Sequence, residues 1–450
     1  MIGIITTIRD ELLMLAMVGF ALGGLDDLVV DILWISRWLN QKHMGKAKAG
    51  ARVLHSLPPA RHSGRMAIFI PAWDEADVLG DTIRQALARW KNDSFTLFVG
   101  CYRNDPETCE MVLQMDDPRV RLALCSRPGP TTKADCLNSI YTAMEQEERQ
   151  IGEVYKAIVL HDAEDLVHPY ELKLHDRLIE HSALVQIPVL PIQTQGSTWV
   201  SGHYVDEFAQ AHCRDIVVRC AMQAALPLAG VGCAISRAAL AALSDQTAKR
   251  PFNEDSLTED YELGLRLAQM GFPAVFARVT EKEGGEIIAT RAHFPDTLNA
   301  AVRQKARWTI GIALAGWDRL GWRHNWADNW MLLRDRRAPI AALVILAGYA
   351  ALLLSGLLAL AAPATAPAAS SSWWLLGFTS LCMAWRIGIR MICVWRHYGW
   401  KMALIAAPRT LVANLIFILA VRRAIAGYIH MVRTGQIYWD KTSHRSPLSA

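Results

Sequence analysis

Hydrophobic positions along this chain follow two regimes. Near both ends they run almost unbroken, over residues 12–35, 338–361 and 373–394. At ~1.5 Å per residue, each run is long enough to cross a hydrocarbon core of about 30 Å as a helix. Between residues 66 and 279 the apolar positions instead form short β-branched runs separated by helical periodicity. The pattern predicts strands over 67–70, 96–101, 120–125 and 157–161, and helices over 77–90, 106–115, 133–145 and 169–181. Such alternation predicts an α/β fold with a mostly parallel sheet and helices on both faces. Ligands of these sheets bind beyond the carboxyl ends of the strands, which makes the polar residues there the candidates for chemistry.

Charge gives the apolar runs a direction. Residues 12–35 have no positive start and no small-residue cleavage site after them, which predicts an uncleaved anchor over residues 1–36. The linker at 37–65 carries Arg37, Lys42, Lys46, Lys48, Arg52, Arg61 and Arg65 and no acid, so it belongs in the cytoplasm and the N-terminus outside. The α/β domain at 66–300 follows on the same side. Residues 301–337 then form an interfacial segment ending in Arg334, Arg336 and Arg337, and two spans occupy 338–394 around an external loop at 362–372. The stretch 403–421 is apolar but contains Pro408 and Arg409 and leads into Arg422, Arg423 and Arg433. A fourth crossing would place those charges outside, so residues 395–450 are expected to form an interfacial or re-entrant helix and a cytoplasmic tail. Charges inside membranes seek partners. Matching depths predicts a two-rung ladder, Asp27 with Arg386 and Asp31 with Arg390; the alternative is that all four snorkel separately.

Composition narrows the class. Counting the 29 Gly and leaving out the 10 Tyr, apolar residues come to about 56%, against roughly 45–50% in soluble proteins. Charged residues still make up 20%, which requires a sizeable water-facing domain. A net charge of +4 is too small to predict a nucleic-acid partner. The nine cysteines show no C-x-x-C pair and no metal-ligand spacing, so they are expected to be reduced thiols.

Three strand ends carry acids: Trp73-Asp74-Glu75, Tyr102-Arg103-Asn104-Asp105 and His161-Asp162-Ala163-Glu164-Asp165. Asp162 and Glu164, two apart in an extended turn, can share a hard divalent ion such as Mg²⁺ or Mn²⁺ that completes its shell with phosphate oxygens. They can equally be an ordinary polar turn. Lys133-Ala134-Asp135 opens a helix after a Pro/Gly turn, which is either a phosphate seat or a plain first turn. Ser256-Leu257-Thr258-Glu259 has the form of a capping box and predicts a helix with Asp260 in its first turn; acids there also simply complement the dipole. Gln304, Arg307 and Trp308 share a helical face at i, i+3 and i+4. Together they can floor a sugar and reach a phosphate, or anchor a membrane surface.

Taken in order over about residues 10–445, these motifs resemble the membrane glycosyltransferases of family 2, the group of the processive cellulose and hyaluronan synthases. Within it they resemble the bacteriophage adsorption protein B type, which also matches at Trp439-Asp440-Lys441-Thr442-Ser443-His444. The resemblance implies an α/β GT-A cytoplasmic domain plus an α-helical membrane domain of about three spans with interfacial helices, in the bacterial inner membrane. The implied activity is inverting, metal-dependent hexosyl or N-acetylhexosaminyl transfer from a UDP-sugar to a growing polysaccharide, with an outer-membrane or periplasmic export partner. The alternatives are transfer of one sugar to a lipid-linked acceptor, or a catalytically idle scaffold. Carried over by position, Glu75 and Asp105 are nucleoside contacts, Lys133 and Asp135 diphosphate and sugar contacts, and Asp162 with Glu164 the Mg²⁺ or Mn²⁺ pair. Asp260, with Glu259 beside it, is the catalytic base. Gln304, Arg307 and Trp308 clamp acceptor and diphosphate, and Gly230, Gly232 and Cys233 form the acceptor wall. Asp74 stands where the family usually has Asn, and Glu164 where it has a second Asp.

Overall fold

The computed structural model describes residues 2–43, 52–194, 197–361 and 373–435. Part of the basic linker, the loop at 362–372 and the run at 439–444 lie outside the described residues. Seven strands build the central sheet: β1 (Met66–Pro71), β2 (Phe95–Cys101), β3 (Val120–Leu124), β4 (Ala157–Leu160), β5 (Leu184–Gln186), β6 (Cys233–Ser236) and β7 (Ala274–Phe276). Their order is β3-β2-β1-β4-β6-β5-β7. The four strands expected from the sequence pair in parallel, whereas β6 runs antiparallel to both β4 and β5. After β5 the chain stays at the carboxyl edge of the sheet, so the next strand starts from that edge and runs back.

Both faces of the first strands are covered, which is why their sequences are continuous apolar runs. Ile68, Ile70, Leu97, Val99 and Val159 point to one core with Leu79, Ile83 and Trp90, contributed by and just beyond α2 (Ala76–Arg89). Ala67, Phe69, Phe98, Ile158 and Leu160 point to the other with Leu137, Ile140 and Met144. Those last three belong to α4 (Lys133–Ile151), which follows α3 (Pro106–Leu113) and ends at Gly152 in the left-handed conformation. α5 (Glu171–Leu178), α6 (Val200–Gln210), the π-turn Ala211–Asp215 and α7 (Ile216–Ala221) follow, then α8 (Arg237–Gln246) and α9 (Glu259–Gln269). The capping box does not form: Thr258 is the cap residue without a side-chain bond, and Ser256 Oγ instead accepts from the Thr258 N–H at 3.3 Å. β2 and β4 flank β1 on opposite sides, so the order switches between β1 and β4, and their carboxyl ends open a crevice there.

α10 (Leu298–Thr309), α11 (Ala315–Leu320) and α12 (Trp326–Arg336) lead into the membrane segment. Among the described residues, three helices are long and apolar enough to span: α1 (Ile2–His43), α13 (Ala338–Ala361) and α14 (Trp373–Thr434). α14 is two limbs broken at Gly399, whose φ of 82° and ψ of 171° are not helical. The expected 403–421 helix is part of the second limb, packed on α6 and α10. Its Arg409 is completely buried, and it donates to both carboxylate oxygens of Asp206 on α6 at 2.6 and 2.7 Å and to the Thr198 carbonyl at 2.9 Å.

Half of the expected ladder is absent. Asp27 faces Arg386 at 3.6 Å, but Asp31 is bound by Arg214 at 2.7 Å and by the Trp385 indole at 2.9 Å. Arg390 instead donates to Gln210 at 2.9 Å. The π-turn inserts Arg214 between the two aspartates, and Arg334 of α12 and Arg337 just beyond it reach Asp26 and Asp27.

Candidate active site

The turn after β4 is held from below. His161 is buried between Asp165 and Glu171, its two ring nitrogens each 2.9 Å from a carboxylate oxygen. Burial opposes its charge, yet Glu171 and Asp165 push its pKa up to about 10. The Asp165 oxygen bonded to His161 also accepts the Asp162 N–H at 3.0 Å. His161 is therefore a scaffold, and Asp162 and Glu164 turn into a cavity of about 120 Å³.

Lys133, at the start of α4, reaches into the same cavity and sits 2.5 Å from Asp162 Oδ1. Asp135 does not: it is buried and paired with Arg127 at 2.5 Å. Residues two apart on a helix face different ways, so α4 can aim only one of them at the cavity. Glu75 and Asp105 also stay outside, at the ends of β1 and β2. Asp105 caps α3 through the Thr108 N–H at 3.4 Å and accepts the Asp74 N–H at 2.6 Å, while the Glu75 N–H donates to Thr108 Oγ1 at 3.2 Å. Beside them the loop at 126–132 is clamped by two Asn104–Gly129 bonds of 2.7 Å. A side chain at Gly129 would collide with the Trp73 ring.

Asp260 and Glu259 enter from the first turn of α9. Gly230, at φ of 76°, lies so close behind Asp260 that a Cβ there would stand 2.5 Å from Oδ2. Burial raises the pKa of Asp260 and Lys133 pulls it down, whereas burial and then the Asp260 charge push Glu259 up to about 7. Burial works against the Lys133 ammonium, but Asp162, Glu259 and Asp260 hold its pKa above the usual value. None of the expected acceptor-wall residues Gly230, Gly232 and Cys233 lines the cavity; their neighbours Ala229 and Val231 do. Gly232, at φ of 59°, packs on Thr290, and Cys233 is buried within β6 against Leu160. Strand alternation carries that thiol into the core, and burial raises its pKa.

Gln304, Arg307 and Trp308 close the opposite side from α10. Gln304 Oε1 is buried and accepts no hydrogen bond among the described residues. Trp308 belongs to an aromatic group that the motifs did not reveal: Phe294 and Phe208 lie with it at ring distances of 6.5 and 6.3 Å and line the cavity. His293 and Phe294 arrive from the strand Thr290–Ala292, paired in parallel with Val189–Pro191, so another strand end was the available signal. Among the described residues, no group of three or more His, Cys, Asp or Glu could hold a metal alone. Asp162, Glu164, Glu259 and Asp260 nevertheless outnumber Lys133 and Arg307 in the cavity, and Asp162 already carries a cationic partner. This oxygen-rich, acid-heavy donor set fits a hard cation shared with a phosphate.

Residues 63–311 match the profile of Glycosyltransferase like family 2. The chain is 35% identical, over 95% of its length, to bacteriophage adsorption protein B of Escherichia coli K12 and to bacteriophage N4 adsorption protein B of Escherichia coli O157:H7. It spans 60% of the length of those relatives. A mannosyltransferase from Pyrobaculum calidifontis, solved with GDP-Man and Mn²⁺, shares the fold at a TM-score of 0.51 and 16% identity, over 91% of this chain and 99% of that one. With the GT-A sheet, the crevice at its switch point and a family match covering more than half of the chain, this protein belongs to glycosyltransferase-like family 2.

Proposed function

We propose that the chain transfers a sugar, with inversion, from a UDP-sugar to a growing polysaccharide at the cytoplasmic face of the bacterial inner membrane, for export. The observation that carries this reading is the meeting of Asp260, Lys133, the Asp162–Glu164 turn and the Gln304, Arg307, Trp308 face in one cavity. An acceptor hydroxyl oxygen bonds to the anomeric carbon as that carbon's bond to the diphosphate oxygen breaks. The bonding pair leaves with the nucleoside diphosphate, and the hydroxyl proton passes to Asp260. Lys133 and Arg307 meet the charge that develops on the diphosphate, so the departing group needs no general acid. The faces of Trp308 and Phe294 hold sugar rings, and Gln304 Oε1 takes an acceptor hydroxyl. Glu75 and Asp105 bound the nucleoside end, where the Asp105 cap on α3 and the bond from the Glu75 N–H to Thr108 set the loop geometry. Asp162 and Glu164 would hold Mg²⁺ or Mn²⁺, which when bound supplies positive charge to the diphosphate.

Transfer of one sugar to a lipid carrier is the second reading. The presence of only three span-length apolar helices among the described residues favours it, since they make a slender path for a polymer. Nucleotide release by the protein in vesicles, measured across a panel of UDP- and GDP-sugars with the product sized afterwards, tests both. A polymer supports the first reading and a single-sugar glycolipid the second. No release from any donor leaves the idle scaffold, and full turnover in excess chelator overturns the metal role.

A further inference from the structure

A guanidinium without an acceptor stands where the second apolar helix begins. Arg336, the last residue of α12, is 3% exposed, and none of its three guanidinium nitrogens meets an acceptor among the described residues. Two indoles cage the group: its central carbon lies 5.5 Å from the Trp317 ring centre and 4.9 Å from that of Trp322. Those rings pack edge to face at 5.3 Å, an arrangement reached because Gly321, at φ of 56°, turns the chain sharply after α11. The neighbouring acid is already taken, since Asp335 accepts from Arg219 at 2.8 and 3.0 Å and from the Tyr261 hydroxyl at 2.8 Å. Attraction to two ring faces offsets only part of the cost of burying an unpaired charge.

The place of this cage suggests its ligand. α13 begins at Ala338, two residues on. Trp326, Trp330 and Leu333 recur along one face of α12 at i, i+4 and i+7, with Trp326 and Leu333 exposed. Trp and Arg beside the start of a span sit at headgroup depth. We infer that Arg336, with Trp317 and Trp322, binds the phosphate of an anionic phospholipid headgroup at the membrane surface where α13 begins. The planar guanidinium matches two phosphate oxygens at once, and the half-exposed Trp322 indole swings outward to admit them.

The test uses the full chain in a neutral detergent, titrated with short-chain phosphatidylglycerol, with phosphatidylcholine and inorganic phosphate as parallel arms and Tm as the readout. Phosphatidylglycerol should raise Tm saturably in the wild type. Arg336→Met should need about tenfold more lipid for half the effect. Without lipid, Arg336→Met should melt no lower than the wild type, because it removes an unpaired charge. Arg336→Gln is measured alongside and replaces the Met variant if that one does not fold. Equal half-saturation in variant and wild type overturns the site. An equal response to inorganic phosphate or to phosphatidylcholine overturns the anionic lipid as its ligand.

Discussion

Glu259 and Asp260 are consecutive acids that share the Lys133 ammonium with Asp162 and both also lie in the field of Arg307. Only Asp260 is backed by a glycine with no room for a side chain, and its Oδ1 accepts the Tyr261 N–H at 2.7 Å, so it is the acid held in one orientation. Asp260→Asn is expected to lower transfer at least about a hundredfold while donor binding stays near normal; an equal loss of donor affinity, measured by calorimetry, would remove Asp260 as the base. Glu259 titrates at about 7 in the fold and near 4.5 in the unfolded chain. The folded protein thus keeps a proton that the unfolded chain releases, and the associated stability is full below pH 4.5 and lost as the pH rises through 7. In donor-free protein with chelator, Glu259→Gln should therefore raise stability at about pH 8 by on the order of 3 kcal/mol, and hardly at all near pH 4.5. A Tm difference that does not change with pH would contradict it. The acids of this site were legible in the sequence from their places just after β4 and in the first turn of α9, although Glu75 and Asp105 show that a strand end alone does not aim a side chain at the cavity. Asp135 and Cys233 were not, since which way a side chain turns depends on the phase of its helix or strand.

At the scale of elements, the break at Gly399 turns one long apolar helix into two limbs with different neighbours. The second limb is joined to the catalytic domain through Arg409 and Asp206, and Gly202 leaves the space: a Cβ there would lie 2.1 Å from the guanidinium. Removing one partner strands a buried charge, so Arg409→Met or Asp206→Asn should each cost roughly 3–5 kcal/mol. The paired replacement Asp206→Leu with Arg409→Met should recover most of that. Protease cleavage of the second limb, followed by gel, reads the result, and single variants that cleave no faster than the wild type would contradict it. Strands β1 to β4 and their helices were predictable because hydrophobic period and length are local properties. β6 and the misread capping box were not: a strand's direction depends on where the preceding excursion ends, and Ser256 bonds the Thr258 N–H instead of capping a helix that begins later.

Across the whole molecule, an ionic network ties the first apolar helix to the α/β domain: Asp26, Asp27 and Asp31 of α1 meet Arg214 of the π-turn and Arg334 and Arg337 at the end of α12. Exchanging Asp31 with Arg214 as Asp31→Arg and Arg214→Asp should therefore restore much of the stability that either single change removes. Exchanging Asp31 with Arg390 should not. Rescue by the second exchange and not by the first, in thermal melts of the solubilised protein, would return the partnership to Arg390. The sequence by itself determined the apolar helices, the α/β alternation, the family and the residue types of the site, because composition, periodicity and motif order need no knowledge of distant neighbours. Tertiary structure alone decided that Arg214 takes the place of Arg390, that Phe208 and Phe294 join Trp308, and that Asp135 turns away while Lys133 turns in. Each of those outcomes depends on which segments, far apart along the chain, the packed sheet and the broken helix bring within a few ångströms of one another.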